Sequence, residues 1–176
     1  MRIISGQYGR RNIASPNGHK THPMSEKIRG ALFNVLGDIV GLSVLDVCSG
    51  SGAIAIEALS RGATTATAIE SDAKAIKVIK QNIETLALQD RLTLVQANAR
   101  SWSANNKQAK FNIVVCDPPY NHVQPQLIRD VTRHIAPDGI YILSWPGDER
   151  PLAFDNLRLI SNKQYGDSQL FFYKPV

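Results

Sequence analysis

Asp117, Pro118, Pro119 and Tyr120 form the segment whose residue types most directly suggest chemistry. They follow the apolar run 111–116, which is typical of a buried parallel strand. The prolines must end hydrogen bonding along that strand, because neither has a backbone N–H to donate. A carboxylate, two rigid carbonyls and an aromatic ring therefore meet at the carboxyl end of a strand, where open α/β sheets bind their ligands.

These groups suit a flat base that carries an amino group. The Asp117 carboxylate and a proline carbonyl can accept N–H bonds, and the Tyr120 ring can stack on the base. An amine conjugated to a ring is a poor nucleophile, and acceptors around it favour the geometry that frees its lone pair. The motif therefore suggests methylation of an amino group. Taken alone, the motif also fits a purely structural role, in which the prolines end the strand and the tyrosine packs in the core.

A second candidate site lies upstream, where an apolar strand leads through a glycine loop into a helix. Glycines let the backbone approach a ligand closely, and the amino end of a helix favours an anionic group. We predict cofactor contacts in this loop from Asp46, Cys48, Ser49, Gly50, Ser51 and Gly52.

The glycine spacing is ambiguous between two cofactors. Gly50, Gly52 and Ala55, with Glu70 further on, also fit a dinucleotide fingerprint. A carboxylate at Asp46 would repel a pyrophosphate but suits the cationic amino acid end of S-adenosylmethionine. Glu70 can accept ribose hydroxyls from either cofactor. A dehydrogenase is the least favoured alternative, because it leaves the Asp-Pro-Pro-Tyr motif unexplained.

The ends of the following strands complete the predicted cofactor site. Glu70 and Ser71 end one strand, and Asn98 and Ala99 end the next, while Asp117 faces the cofactor as well as the base. The Asn98 amide could contact the adenine edge, although asparagine is also a common turn residue.

With these residues in view, the chain resembles the RsmD-like methyltransferases, which methylate the N2 amino group of a guanine in bacterial 16S ribosomal RNA. The resemblance covers essentially the whole chain and rests on segments 2–6, 28–36, 45–52, 57–63, 70–82, 117–120 and 165–173. It implies a Rossmann-like class I methyltransferase fold and S-adenosyl-L-methionine as methyl donor. It also implies 16S rRNA, or a small ribosomal subunit or its assembly intermediate, as substrate and partner.

The chain departs from the family pattern at several positions. It has His22-Pro23-Met24 where the family commonly has Arg-Pro-Thr, Gly30 in place of a glutamate, and Asn98 in place of an aspartate. These departures keep open a non-catalytic RNA-binding ribosome-assembly factor. Another alternative is an adenine-N6 methyltransferase acting on RNA or DNA, although no target-recognition insertion of the kind typical of DNA enzymes is present.

Composition predicts one domain over residues 1–176, with a hairpin and helix extension at 1–38 and a Rossmann-like core at 39–176. The 176 residues, 43% of them apolar, suffice for one buried core. Without a long apolar run or a signal-peptide pattern, we expect a cytoplasmic monomer with no membrane contact. Cys48 and Cys116 lack metal-ligand spacing, so we interpret them as structural residues and expect no metal.

Basic residues are concentrated near the amino terminus of this chain of net charge +5. Residues 1–40 hold six basic side chains and two acidic ones. On a predicted hairpin of residues 2–4 and 11–14, such side chains can contact phosphates. The candidate RNA contacts are Arg2, Arg10, Arg11, Lys27 and Arg29. The alternative is a solvated flap.

The coarse pattern predicts alternating strands and helices. After a helix starting near Ser25 come strand 42–47, helix 52–61, strand 65–70, helix 72–86, strand 92–97, a polar loop to 110, strand 111–116, helix 124–136 and strand 139–145. Runs 157–161 and 168–173 should then form a hairpin. This order predicts an α/β fold with a mostly parallel seven-stranded sheet that includes an antiparallel strand.

Overall fold

A seven-stranded sheet forms the centre of the protein, which a computed structural model describes for residues 1–16, 24–122 and 124–176. The elements, in chain order, are α1 Glu26–Leu36, β1 Ser43–Val47, α2 Ala53–Ser60, β2 Thr65–Glu70, α3 Ala73–Leu86, β3 Leu92–Gln96, α4 Ala99–Asn105, β4 Phe111–Cys116, α5 Pro125–Asp130, β5 Ile135–Pro146, β6 Leu157–Tyr165 and β7 Ser168–Pro175. Short 3-10 turns occupy Tyr120–His122 and Val131–His134.

The strand order is β3-β2-β1-β4-β5-β7-β6. The first five strands of this order are mutually parallel, and β7 runs antiparallel between β5 and β6. The predicted mostly parallel sheet with an antiparallel strand is therefore confirmed. Val47 at the end of β1 is in register with Ile69 of β2 and Cys116 of β4, so these strands end together at one edge.

Helices cover both faces of the sheet. Val44 of β1 packs into a core with α1, α2, α3 and the amino-terminal segment, whereas its neighbour Leu45 packs into a second core with α5. Because strand side chains alternate between faces, a strand buried on both sides is mostly apolar. This explains the apolar runs of β1 and β4, which Asp46 and Asn112 interrupt.

Two predictions of secondary structure are wrong. The segment expected to be a polar loop up to residue 110 contains α4, which Asn98 caps at its amino end. The helix predicted over 124–136 ends at Asp130, and after a 3-10 turn β5 already begins at Ile135. Ile135 of β5 pairs with Phe111 of β4, and the register between the two strands shifts directly after this pair. The turn-forming residues 137–139 therefore lie within an irregular part of β5.

The predicted amino-terminal hairpin is reduced to one antiparallel bridge, between Arg2 and Asn12. Its turn docks on the carboxyl end of α2, where the Gln7 N–H donates to the Ser60 carbonyl at 2.7 Å. Gly6 has φ +83°, and a Cβ there would lie 1.8 Å from the Ser60 oxygen. Only glycine permits this approach. The docking leaves every residue of α2 buried, although one face of such a helix would otherwise meet solvent.

Replacing Gly30 in α1 with alanine should stabilise the protein by about 0.5–1 kcal/mol, because glycine loses more backbone entropy on folding. An added Cβ would contact only the Ile4 Cδ1 atom, at 3.4 Å. Urea unfolding would measure the change. Gly62→Ala is the opposite control, since Gly62 has φ +102° and a Cβ there would lie 2.8 Å from Val40 Cγ2. A loss of stability in Gly30→Ala would contradict this account.

Within the described ranges, no helix is both long enough and apolar enough to span a membrane.

Candidate functional site

The carboxyl ends of the parallel strands surround a cavity of about 740 Å³. It lies where the chain, having added β2 and β3 on one side of β1, crosses to β4 on the other. Open α/β sheets bind ligands at such a switch point. The volume is within the range of small-molecule and cofactor sites.

The glycine loop forms one wall of this cavity. Cys48, Ser49, Gly50 and Ser51 line it. Gly50 has φ +59°, and a Cβ there would meet no atom within 4 Å, so this backbone faces open space that a ligand can fill. Gly52 begins α2 in the left-handed conformation but is not part of the wall.

Asp46 lies behind the loop rather than on the cavity wall. Its Oδ2 atom accepts hydrogen bonds from the Ser49 hydroxyl and from the Ala55 N–H. Burial raises the pKa of this carboxyl to about 7, and Oδ1 has no partner among the described residues. The expected contact of Asp46 with a cationic cofactor group stays a prediction. The carboxylate fixes the shape of the loop.

Glu70 links the end of β2 to the glycine loop. Its Oε2 atom accepts from the Gly50 N–H at 2.8 Å, and Oε1 accepts from the N–H groups of Ser71 and Asp72. Glu70, Ser71 and Asp72 all line the cavity. The carboxylate thus already has three backbone donors, and Oε2, with a single donor, keeps an accepting position for a ligand hydroxyl.

Asn98 and Ala99 form the wall beyond β3. The Asn98 side-chain oxygen caps α4 by accepting from the N–H groups of Arg100 and Ser101. Capping already uses both lone pairs of this oxygen, and the expected contact of Asn98 with the adenine edge stays a prediction. The Asn98 amide N–H groups and the first helical N–H, at Ala99, can still donate to a ligand.

The predicted catalytic segment lies at the same cavity, with Asp117, Pro118, Pro119 and Tyr120 all on its wall. Burial raises the pKa of Asp117 to about 6, and hydrogen bonding to Ser144 opposes this rise. The Tyr120 hydroxyl lies 2.6 Å from the Ser144 hydroxyl, while 37% of the residue stays exposed. The hydroxyl thus fixes the position of the ring, and part of the ring remains exposed, as stacking on a base requires.

The two cysteines are free and lie side by side at the ends of β1 and β4. Burial raises the pKa of Cys48 to about 12 and that of Cys116 well above its ordinary value. Neither is a thiolate near neutral pH, so neither is a nucleophile. In the described part of the chain, no group of three His, Cys, Asp or Glu side chains could hold a metal ion.

Sequence reasoning missed part of the cavity wall. The amino-terminal segment and α1 contribute residues that carried no motif, namely Ser15, Pro16, Met24, Ser25 and Ile28. Ser144 and Ser168, on β5 and β7, also line the cavity. His22 and Pro23 lie outside the described residues. The sequence signal for this wall was the departure at Met24, two residues before α1 begins at Glu26.

Arg29 is not an RNA contact in this structure, which corrects the prediction. It is fully buried, its Nη2 group donates to the Arg2 carbonyl, and its Nε atom lies 3.6 Å from the Glu57 Oε2 atom. Nε and Nη1 have no hydrogen-bond partner among the described residues, and Arg29 also lines the cavity. The positive charge of Arg29 therefore faces Glu57 and the cavity and does not reach the outer surface of the protein.

The other predicted RNA contacts are exposed but dispersed. Arg2 pairs with Glu26, and Lys27 lies beside the wall residue Ile28. Arg10 and Arg11 follow the turn that docks at Ser60, the far end of α2 from the glycine loop. Eight residues of helix separate the two ends, or about 12 Å. None of these four side chains lines the cavity, and their contact with RNA stays a prediction.

Comparison with known proteins gives the relationships of the chain. Residues 1–174 match the family described as Conserved hypothetical protein 95. Ribosomal RNA small subunit methyltransferase D of Escherichia coli strain K12 is 39% identical over 121 residues, which are 68% of this chain and 60% of that protein. The protein of the same name from Haemophilus influenzae is 27% identical over 172 residues, covering 94% of this chain and 89% of that protein.

Solved structures agree with this relationship. The structure of yhhF from Escherichia coli, described as a candidate methyltransferase, superposes with a TM-score of 0.87 at 31% identity. The match covers 99% of this chain and 97% of that one. The fold is therefore the Rossmann-like class I methyltransferase fold.

Proposed function

Since the chain belongs to the RsmD-like family of methyltransferases, which use S-adenosyl-L-methionine, we propose that it methylates the exocyclic N2 amino group of a guanine in 16S ribosomal RNA. The observation that carries the proposal is that the Asp-Pro-Pro-Tyr segment and the glycine loop line the same cavity. A base acceptor and a cofactor site thus face the same space.

The cavity fits the methyl donor on three grounds. Gly50 leaves open space where a side chain would project. The buried Arg29 has a guanidinium with unpartnered nitrogens that suits the carboxylate end of the cofactor. Glu70 offers an oxygen to the ribose, and the Asn98 amide and the Ala99 N–H offer donors to the adenine ring. We assign these residues to cofactor binding.

The chain itself binds and orients the base. The Asp117 carboxylate and the Pro118 carbonyl accept the N–H groups of the target amine, and the Tyr120 ring stacks on the base. These contacts direct the lone pair of the target nitrogen towards the bound cofactor. Catalysis then comes from proximity and from preorganised hydrogen-bond acceptors. When bound, S-adenosyl-L-methionine supplies an electrophilic methyl group. Asp117 stabilises the positive charge that develops on the amine.

The names of the relatives support ribosomal RNA of the small subunit as the substrate. The N2 amino group of guanine follows from the family resemblance. The acceptors at Asp117 and Pro118 recognise an amine and would accept the N6 group of adenine equally well. An adenine-N6 methyltransferase is therefore the second candidate.

Transfer of tritiated methyl groups from S-adenosyl-L-methionine would test the proposal. The acceptors would be ribosomal RNA, 30S particles and DNA, all from a strain that lacks the enzyme, and nucleoside mass spectrometry would identify the product. We expect N2-methylguanosine in the RNA or in the particle. N6-methyladenosine would support the second candidate, and cofactor binding without any transfer would support a non-catalytic assembly factor.

Methyl transfer should fall about tenfold for each pH unit below about 6, because the accepting form of Asp117 is the ionised carboxylate and its pKa is raised to about 6. The measurement is kcat/KM between pH 5 and 8.5. Asp46, with a pKa of about 7, titrates nearby and shapes the glycine loop. The dissociation constant of the cofactor, measured over the same range, isolates that effect. A flat kcat/KM profile down to pH 5 would contradict this role of Asp117.

A further inference from the structure

Ser144 occupies a central position beside the catalytic segment. Leu143 of β5 is in register with Cys116 of β4, so Ser144 and Asp117 are the next residues along two adjacent parallel strands. Ser144 is only 3% exposed, and it lines the cavity. Its hydroxyl lies 2.6 Å from the Tyr120 hydroxyl, and the register of β4 and β5 places Ser144 beside Asp117.

The chemistry of the three groups determines the direction of these hydrogen bonds. An ionised carboxylate can only accept, so in a hydrogen bond between Ser144 and Asp117 the Ser144 hydroxyl is the donor. The Ser144 oxygen is then left to accept from the Tyr120 hydroxyl. The result is a chain of donors that runs from Tyr120 through Ser144 to Asp117. A hydroxyl can both donate and accept here, whereas an alanine side chain can do neither.

We propose that Ser144 is a positioning residue of the methyl-transfer site, whose hydroxyl couples the stacking tyrosine to the accepting carboxylate and orients both for the base. This role rests on the proposed function. It joins the two groups that hold the base, which stand on different backbone segments, the end of β4 and a 3-10 turn. A shift of the tyrosine ring would therefore move the carboxylate with it.

Few other groups around Asp117 could stabilise its ionised carboxylate. The titratable groups around it are Asp46 and Cys48 from the end of β1, Cys116 on its own strand, and Tyr120. None of these carries a positive charge. Ser144 is the group whose hydrogen bond opposes the effect of burial on Asp117. Removing its hydroxyl should therefore be felt directly at the carboxylate.

The test compares Ser144→Ala, Ser144→Thr and Ser168→Ala in the full-length protein. Nuclear magnetic resonance of 13C-labelled aspartate carboxyls would follow the titration of Asp117, assigned through Asp117→Asn. A hydrogen bond to a charged group contributes about 1.5–3 kcal/mol, so Ser144→Ala should raise the Asp117 midpoint by about one pH unit or more. Ser144→Thr keeps the hydroxyl and should restore the wild-type midpoint.

Ser168→Ala is the matched control, because Ser168 lines the same cavity but lies on β7, which does not border β4 and Asp117. Its Asp117 titration should equal that of the wild type. In turnover, Ser144→Ala should lower kcat about 10- to 100-fold, with little change in the KM for the cofactor.

An unchanged Asp117 midpoint in Ser144→Ala would overturn the proposal, as would a midpoint shift of equal size in Ser168→Ala. The titration does not depend on activity. If the wild type transferred no methyl group to any acceptor, the proposed function would fail, whereas the titration would still decide whether Ser144 acts on Asp117.

Discussion

Replacing Asp117 with alanine is expected to lower methyl transfer by at least about 100-fold while the protein still binds its cofactor. The carboxylate accepts a hydrogen bond from the target amine and stabilises the positive charge that develops on it. The side chain lines the cavity. The backbone at this position is held independently, because the Asp117 N–H donates to the Val47 carbonyl at 3.3 Å. The loop should therefore keep its place when the carboxylate is removed.

Single-turnover methyl transfer and calorimetric titration with S-adenosylhomocysteine would measure the two effects separately. Asp117→Asn is the closer variant, since it preserves volume but presents an N–H₂ group that can repel the target amine. Asp90→Asn, at an exposed turn between α3 and β3, is the control for loss of one carboxylate. Equal losses of turnover and cofactor affinity in Asp117→Ala would assign the residue to cofactor binding instead.

Replacing Glu57 with leucine is expected to destabilise the protein by about 3–5 kcal/mol, the cost of removing one member of a buried ion pair. Glu57 is fully buried in α2 and organises the amino-terminal segment. Its carboxylate accepts from the N–H groups of Ile4 and Ser5 and from the Arg61 Nε atom. It also lies 3.6 Å from Arg29. The variant leaves the buried Arg29 cation without its counter-charge.

Urea unfolding would measure the loss, and cofactor affinity would report whether the Arg29 side of the cavity moves. Glu26→Gln is the control, because the Arg2–Glu26 pair is exposed and such pairs contribute at most about 1 kcal/mol. Combining Glu57→Leu with Arg29→Met should recover part of the stability, since no buried charge is then left unpaired. If Glu57→Leu were as mild as Glu26→Gln, the carboxylate would not be what anchors the amino-terminal segment.

Much of the fold was predictable because its central strands β1 and β4 are buried on both faces. The bounds of β2 and β4 match the predicted runs 65–70 and 111–116. The α4 helix was missed because its residues are mostly polar, and its only local signal is the capping asparagine at position 98. The end of α5 was misplaced because tertiary pairing with β4 draws Ile135 into a strand.

The candidate site was predictable where its groups follow one another along the chain. Asp117 to Tyr120 and the glycine loop are contiguous, so their chemistry could be inferred from residue type and from position at a strand end. Arg29 was misjudged because a basic residue on an amphipathic segment ordinarily faces solvent. The carboxylate that pairs with it is 28 residues away, on a different helix, and no local pattern connects the two.

The sequence by itself predicted the reaction class and the edge of the sheet at which the candidate site lies, since apolar runs, glycines and prolines act locally on the backbone. Only the tertiary structure decided what each polar group does. Packing turned Asp46 into a support of the glycine loop, Asn98 into a helix cap and Arg29 into an internal cation. It also brought Ser144 beside Asp117 and Tyr120. Burial and hydrogen-bond partners come from distant segments, so the roles of these side chains are properties of the folded chain.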